Sequence, residues 1–418
     1  MVDNSNHESK NLRGYLLIWF GQLVSILGSA IVQFAIIWWL TLETGSAFVL
    51  ALASFAGLAP AVVIGLFSGV LADRWSRKKI LLAADFFQAI ATLGLIVLFL
   101  IDIVEIWHVL ALLAVRSIFQ AFQLPADVAI VGQMIPKNQI SRINGLKSVF
   151  NTLIFIISPV LGALFLEIFP VGQILWLDVI TFLIAVFSLI FVTIPPMIRK
   201  AGSGLEKMSF KAQFVEGFSY LKSSGLLPLV FIFTIANILL NPLFSIMPLF
   251  IKEVHLGGAI ELAFIIGAFQ LGNFSGSLLV AIRKISATIR LILGGISTAF
   301  LGLFIIAITP TSFFLWMGIG ALVLGFAIGI VDVVLISFLQ IIIAPEMQGR
   351  VMSVTFVLAK SILPLGLLAI GSIAEIIGLA TLYLVSPILG FLLVGYGILV
   401  LRTPLQEYKV EQPAPLSI

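Results

Sequence analysis

Few side chains in this sequence can do chemistry inside a membrane, and those that can recur at helical spacing. Arg116, Gln120, Gln123 and Asp127 fall at i, i+4, i+7 and i+11, so one helix face carries all four. Gln22, Ser25, Ser29 and Gln33 repeat the pattern without charge. Asn237, Asn241 and Ser245 form a third stripe, and Gln270, Asn273 and Ser277 a fourth. Buried in hydrocarbon, an arginine costs several kcal/mol by most estimates unless it faces a cavity or a partner. Arg116 is therefore expected to be functional or paired, the rival role being a fixed ion pair that only joins helices. The amide and hydroxyl stripes must look inward. They are expected to line a large cavity with many hydrogen-bonding groups and few charges, beside Phe and Leu surfaces that suit a bulky amphipathic solute. Each polar residue taken singly serves equally well as interhelical glue.

Four further ionisable groups interrupt apolar runs. Asp332 and Lys360 sit at similar depths in successive spans and could form a neutral pair, with protonation of the aspartate freeing the lysine as a coupling switch; a static pair is the equal alternative. Asp178 is a reserve proton-site candidate, while Asp85, near the inner surface, is assigned to a loop latch described below.

Other chemistries have no residues to run on. Cysteine is absent, which removes disulfides, thiolate metal sites and cysteine nucleophiles. His7, His108 and His255 are far apart, no HExxH occurs, and no GxxxxGK[ST] loop is present, so neither metal nor cofactor is expected. No nucleophile and base constellation suggests an enzyme. The net charge of +4 is spread over loops and calls for no nucleic acid.

The elements that must position these groups follow from composition. With 61% apolar residues, 10% charged and a mean hydropathy of +1.21, the solvent is lipid. At about 20 residues per crossing, twelve helices fit with short connections. The apolar runs give an all-α integral membrane fold of two six-helix bundles, 15–195 and 225–402. A tail at 1–14, a linker at 196–224 and a tail at 403–418 remain. Threading the chain with both termini cytoplasmic puts Lys252 alone outside, with Arg116 and Lys360 within the membrane. The other twenty of the 23 Lys and Arg residues fall inside, as the positive-inside rule requires. Phe210, Phe214 and Phe218 in the linker recur at every fourth residue beside Lys207, Lys211 and Lys222, which suits a helix lying on the anionic inner leaflet. Trp38 and Trp39 are expected in an aromatic belt.

Two stretches repeat between the halves. Pro136-Lys137-Asn138-Gln139-Ile140-Ser141-Arg142 opens the fifth span and Pro345-Glu346-Met347-Gln348-Gly349-Arg350 the eleventh. Each is followed by a mid-span proline and glycine, Pro159 with Gly162 and Pro364 with Gly366. Broken helices at matching places point to a substrate path between the repeats, although proline and glycine are common in membrane helices in any case.

The loop after the second span reads Gly69-Val70-Leu71-Ala72-Asp73-Arg74-Trp75-Ser76-Arg77-Lys78-Lys79. It resembles the GxLaDrxGrrxxl signature of the major facilitator superfamily, with Ser76 in place of the family glycine. The resemblance implies that Gly69, Asp73, Arg74 and Arg77 form a conformational latch. It also matches Arg116 to an arginine linked to proton exchange in the drug/proton antiporters of that family. Ser158-Pro159-Val160-Leu161-Gly162-Ala163 looks like a worn GPxxGG motif of the same exporters. The opening stretch, with RSIFQAF and SPVLGALF, most resembles the macrolide-efflux subgroup. What the resemblance implies is export of amphipathic xenobiotics, macrolide-type first, across a bacterial-type cell membrane in exchange for protons. The sequence does not fix the oligomeric state, and a monomer is the first expectation. An endogenous siderophore or lysolipid is the alternative cargo. A non-transporting membrane sensor is the alternative of another class.

Overall fold

The computed structural model describes residues 4–72, 76–136, 138–194, 210–283 and 285–401. Among them helices joined by short connections make up the chain, with no strand: α1 Asn4–Thr44, α2 Ala47–Ala72, α3 Arg77–Leu100, α4 Ile106–Met134, α5 Ile140–Ile168, α6 Val171–Phe191 and α7 Phe210–Ser223. The second half holds α8 Leu227–Leu249, α9 Ala259–Ile282, α10 Ile289–Ala307, α11 Phe314–Ile342, α12 Pro345–Ser361, α13 Leu363–Ile377 and α14 Leu379–Val400. Twelve segments are long and apolar enough to cross a membrane, α12 and α13 together making the eleventh. Two bundles of six result.

Burial is inverted relative to a water-soluble protein. Ile376 is 81% exposed and Phe191 71%, whereas Arg116, Asp85 and Asp178 are buried. Lipid solvates the first pair at little cost, and helices satisfy their own backbone groups there. The short connections are fixed by local bonds. The Thr288 hydroxyl accepts from the Leu291 amide at 3.3 Å, and the Glu261 carboxylate accepts from the Gly258 amide at 2.7 Å. Both cap helix starts.

The bundle has two unlike ends: a basic end, where Lys78, Lys79, Arg142, Arg290 and Arg350 lie, and a far end holding Glu43, Asp102, Glu105, Glu253 and Glu261. At the far end the halves are joined. A buried apolar core runs without a break from Leu40, Leu50, Leu113 and Leu175 in the first half to Leu249, Phe250 and Tyr383 in the second. The α2–α13 crossing is close enough that a Cβ on Gly371 would lie 2.4 Å from the Ala51 Cβ. There the Glu375 carboxylate accepts from the Ser46 hydroxyl at 2.7 Å and the Phe48 amide at 3.1 Å, and the Lys252 ammonium donates to the Thr41 carbonyl at 3.2 Å. At the basic end the first half keeps a separate core of Tyr15, Ile18, Ile80, Ile130, Ile143 and Leu189.

Several expectations change. The chain is helical from Asn4, within the stretch read as a tail. Pro364 does break its span, standing near the start of α13 where the missing N–H costs nothing. Pro159 does not break α5, which runs through it. Ser158, Pro159, Gly162 and Ala163 are buried, and the Phe34 ring of α1 packs where a Gly162 side chain would go, so neighbouring helices hold the proline in place. The matched break is therefore one-sided. Trp38 is 7% exposed and belongs to the core instead of a belt; Trp39 packs edge-on against Phe99 at 5.3 Å. The linker helix α7 turns Phe214 and Phe218 onto the protein core, and Glu216 forms an ion pair with Arg350 of α12. It is a packed strut as much as a surface anchor. The 403–418 tail and residues 196–209 of the linker lie outside the described residues, as do Asp73 and Arg74.

Candidate functional site

Close helix approach builds the first cavity. A Cβ on Gly28 of α1 would lie 2.1 Å from the Thr181 hydroxyl of α6, so only glycine lets the two backbones come this near. That approach brings Ser29 onto Asp178. The Ser29 hydroxyl donates to Asp178 Oδ1 at 2.6 Å, and the Thr92 hydroxyl of α3 donates to Oδ2 at 2.9 Å. From α4, Arg116 donates to Oδ2 at 2.7 Å and to Oδ1 at 3.4 Å. Both members of the pair are 5% exposed. Four donors thus converge on one carboxylate, the geometry a buried charge pair requires.

A second network lies beside it. Asp85 of α3 accepts from the Gln22 amide at 3.0 Å and from the Gln123 amide at 2.6 Å. This corrects its assignment to the latch: the carboxylate joins α1, α3 and α4 inside the bundle. Both networks line one cavity of about 360 Å³, whose wall holds Gln22, Ser25, Ser29, Gln33, Gln120 and Gln123, together with Asp85, Arg116 and Asp178. The α2 helix closes one side, where the Ala61 amide, just past Pro60, donates to the Ser117 hydroxyl of α4 at 3.0 Å.

Towards the basic end a further cavity of about 440 Å³ shares Gln22, Gln120, Gln123 and Phe155 with the first. Tyr15, Trp19 and Asn151 complete it, with an ion pair between Asp127 and Lys147. The second half has a smaller cavity of about 230 Å³. Asn237, Asn241, Asp332 and Thr355 stand there among Phe233, Leu335, Ile336 and Phe356, and the Asn241 amide donates to Asn237 Oδ1 at 2.8 Å.

The α1 and α4 stripes thus come together, with Asp178 between them. Asn237, Asn241 and Asp332 come together separately. Gln270 and Asn273 line none of these three cavities. Their helix α9 is pressed on α11, with the Gly325 and Gly329 Cα atoms set against the backbone of Phe269 and Asn273. Small residues on α11 permit that close backbone contact. Arg77 is buried at the start of α3, and Gly69 lies on α2. The Lys360 side chain lies outside the described residues, so its pairing with Asp332 does too. Sequence reasoning passed over Lys147, counted only as a loop charge, and the stripe Asp85, Gln88 and Thr92 at i, i+3 and i+7. Its spacing matches that of the stripes that were noticed.

A family model described as Major Facilitator Superfamily matches residues 18–366. The chain belongs to the major facilitator superfamily. Within that superfamily it falls in the macrolide-efflux subgroup: it is 31% identical to Macrolide efflux protein A of Streptococcus pyogenes over 89% of this chain and 92% of the relative. It is 25% identical to Multidrug efflux pump Tap of Mycolicibacterium fortuitum over 88% of this chain and 91% of that one. Among solved structures, the nucleoside transporter NupG superposes with a TM-score of 0.72 at 14% identity, covering 93% of this chain and 99% of that chain. A bacterial homolog of the lysosomal transporter Spinster, in an inward-facing occupied conformation, gives 0.69 at 16% identity, covering 96% and 98%. These two show the superfamily fold. The chain is a multi-pass membrane transporter that handles small molecules.

Proposed function

We propose that this transporter exports amphipathic drugs, macrolide-type compounds first, from the cytoplasm across a bacterial-type cell membrane in exchange for protons. The observation that carries the reading is the pair of adjoining cavities in the first half. Amide and hydroxyl groups furnish their walls, and Phe155, Trp19 and Ile26 provide apolar surface beside them. The names of the relatives favour export of drugs of this kind. Placing the basic end in the cytoplasm, with both termini, satisfies the positive-inside rule. The joined far end and the separate core at the basic end then correspond to an inward-facing state, ready to load drug from inside. Rocking of the halves about the cavities, with the 69–77 loop as latch, would expose the drug to the other side.

An anionic siderophore or lysolipid is disfavoured, because Arg116 is neutralised by Asp178 and Lys147 by Asp127. Coupling candidates are the ionisable groups at the cavities: Arg116 with Asp178, Asp127, and Asp332 with Lys360. A proton entering down 100 mV supplies about 2.3 kcal/mol, enough for a roughly fiftyfold gradient of a neutral solute. In a pump-deleted bacterial host, expression of the chain should lower erythromycin accumulation, and collapsing the proton gradient should restore it. Accumulation equal to the empty-vector control would refute export. Efflux that persists without the gradient would refute proton exchange.

A further inference from the structure

We propose that Asp85 is the carboxyl that binds the exchanged proton, and that Gln22 and Gln123 convey its protonation state to the drug cavities. The inference rests on the proton-exchange reading above and deepens it.

Of the acids at the first-half cavities, Asp85 is the one whose bonding changes character when a proton arrives. Asp178 accepts from a guanidinium and two hydroxyls, and protonating it would leave Arg116 as an uncompensated buried charge. Asp127 is held by the Lys147 ammonium. Asp85 is 2% exposed yet lines the cavity, and its hydrogen bonds come from two neutral amides. A carboxyl without a bound cation can gain or lose a proton without stranding a partner charge.

The charged groups around it are accounted for. In the same wall α4 brings Arg116 and α6 brings Asp178, already joined to each other. The apposed part of α1 brings Gln22 and Ser25, which are uncharged. Asp127 and Lys147 face the adjoining cavity as a pair. On α3 itself Arg77, Lys78 and Lys79 stand six to eight residues earlier, roughly 9–12 Å along the helix. The Lys78 ammonium donates to the carbonyls of Ile190 and Val192 at 3.0 and 2.8 Å.

The chemistry of the switch is explicit. Ionised, Asp85 only accepts, and both glutamines present N–H groups to it. A proton taken onto one carboxyl oxygen makes an O–H donor there. The facing glutamine must then turn its amide to offer Oε1, or lose the bond. Gln22 and Gln123 each belong to the walls of both first-half cavities. Proton uptake therefore redirects donors and acceptors at the point where the two cavities meet, and a drug bound across that point opposes the proton.

The test uses the purified full-length protein in detergent, lightly buffered, with a pH dye and erythromycin as the probe. Drug binding, followed by tryptophan fluorescence across a pH series, should release about one proton per drug from the wild type on the acid side, where the drug-free carboxyl is protonated. Asp85→Asn, compared at erythromycin concentrations that saturate each protein, should release no proton per drug bound, and Asp85→Glu should restore release. Full release from Asp85→Asn overturns the assignment while leaving proton exchange standing. Binding without release in the wild type overturns both. Should Asp85→Asn not fold, the double variant Gln22→Leu/Gln123→Leu keeps the carboxyl and removes the two amides that join it to the drug cavities. Erythromycin binding should then release no proton, and full release overturns the assignment.

Discussion

Replacing Asp178 by asparagine tests whether the charge network in the first half is an integral part of the fold. The substitution keeps shape but removes the negative charge opposite Arg116, which is 5% exposed. It also turns one oxygen into an N–H₂ group. If that is Oδ2, the new donor faces the Arg116 guanidinium, now bonded at 2.7 Å, and the Thr92 hydroxyl, now bonded at 2.9 Å. If it is Oδ1, the donor faces the Ser29 hydroxyl, bonded at 2.6 Å, and the second guanidinium nitrogen. At least two bonds to a charged acceptor are lost in either rotamer, each worth about 1.5–3 kcal/mol. A stranded buried charge gives the same scale, about 3–5 kcal/mol.

The assay is unfolding of the purified protein by SDS titration in mixed micelles, followed by tryptophan fluorescence. Asp178→Asn is expected to lose about 3–5 kcal/mol. Adding Arg116→Gln to it should return part of that loss, because no charge is then stranded, with a coupling energy of about 2–3 kcal/mol in the double-mutant cycle. An Asp178→Asn loss of less than about 0.5 kcal/mol, the range of an ordinary surface substitution, would refute the reasoning. So would strict additivity of the two changes.

At the joined far end, Gly371→Val would push a side chain into Ala51, whose Cβ lies 2.4 Å from the added Cβ position. Closure there should fail and drug efflux fall by about fivefold or more, since a misfit in a packed core costs about 1–3 kcal/mol. Single cysteines introduced into this cysteine-free chain should report greater far-end labelling, and unchanged labelling would contradict the closure assignment. His255, 1% exposed beside Phe250, is held below the usual imidazole range by burial, with the Pro310 backbone acting the other way. Its unfolded form therefore binds the proton first. The stability contribution is complete above about pH 6.5 and is lost as pH falls below that value. His255→Phe should flatten the fall in melting temperature on that acid side, and an identical slope in both proteins would be the contrary result.

The sequence made the twelve spans and the inward-facing stripes legible because lipid imposes them: a polar group at mid-span has nowhere to go but inward. Arg116 could be marked as paired or functional on the same ground. Its partner could not be chosen, since hydropathy gives depth but not azimuth. Depth alone matched Asp332 with Lys360, and depth alone did not single out Asp178 of α6 as the partner that Arg116 of α4 finds. The same limit explains Gln270 and Asn273. Their spacing is that of a cavity stripe, yet they line none of the three cavities described, and the close α9–α11 approach at Gly325 and Gly329 depends on glycines of another helix that the stripe itself does not reveal. Pro159 and Pro364 differ for a related reason: a proline breaks or bends a helix according to what packs around it, and the Phe34 ring at Gly162 is contributed by a distant span.

These contacts also make the two halves unequal in a way that bears on coupling. The described ion pairs at the cavities, Arg116–Asp178 and Lys147–Asp127, lie in the first half, along with the Asp85 network. The second-half cavity sets amides and one acid among aliphatic and aromatic side chains. In a rocking transporter the free energy of coupling has to be registered where the proton and the solute touch common groups, because a ligand shifts a two-state equilibrium only through contacts that differ between the states. Under the proposal that Asp85 takes up the proton, Gln22 and Gln123 are such groups, and both belong to the first half. The second half can then act mainly as an apolar wall. It would contribute contact area for diverse amphipathic solutes while demanding little specific geometry of them, so breadth of substrate and strictness of coupling need not compete for the same residues.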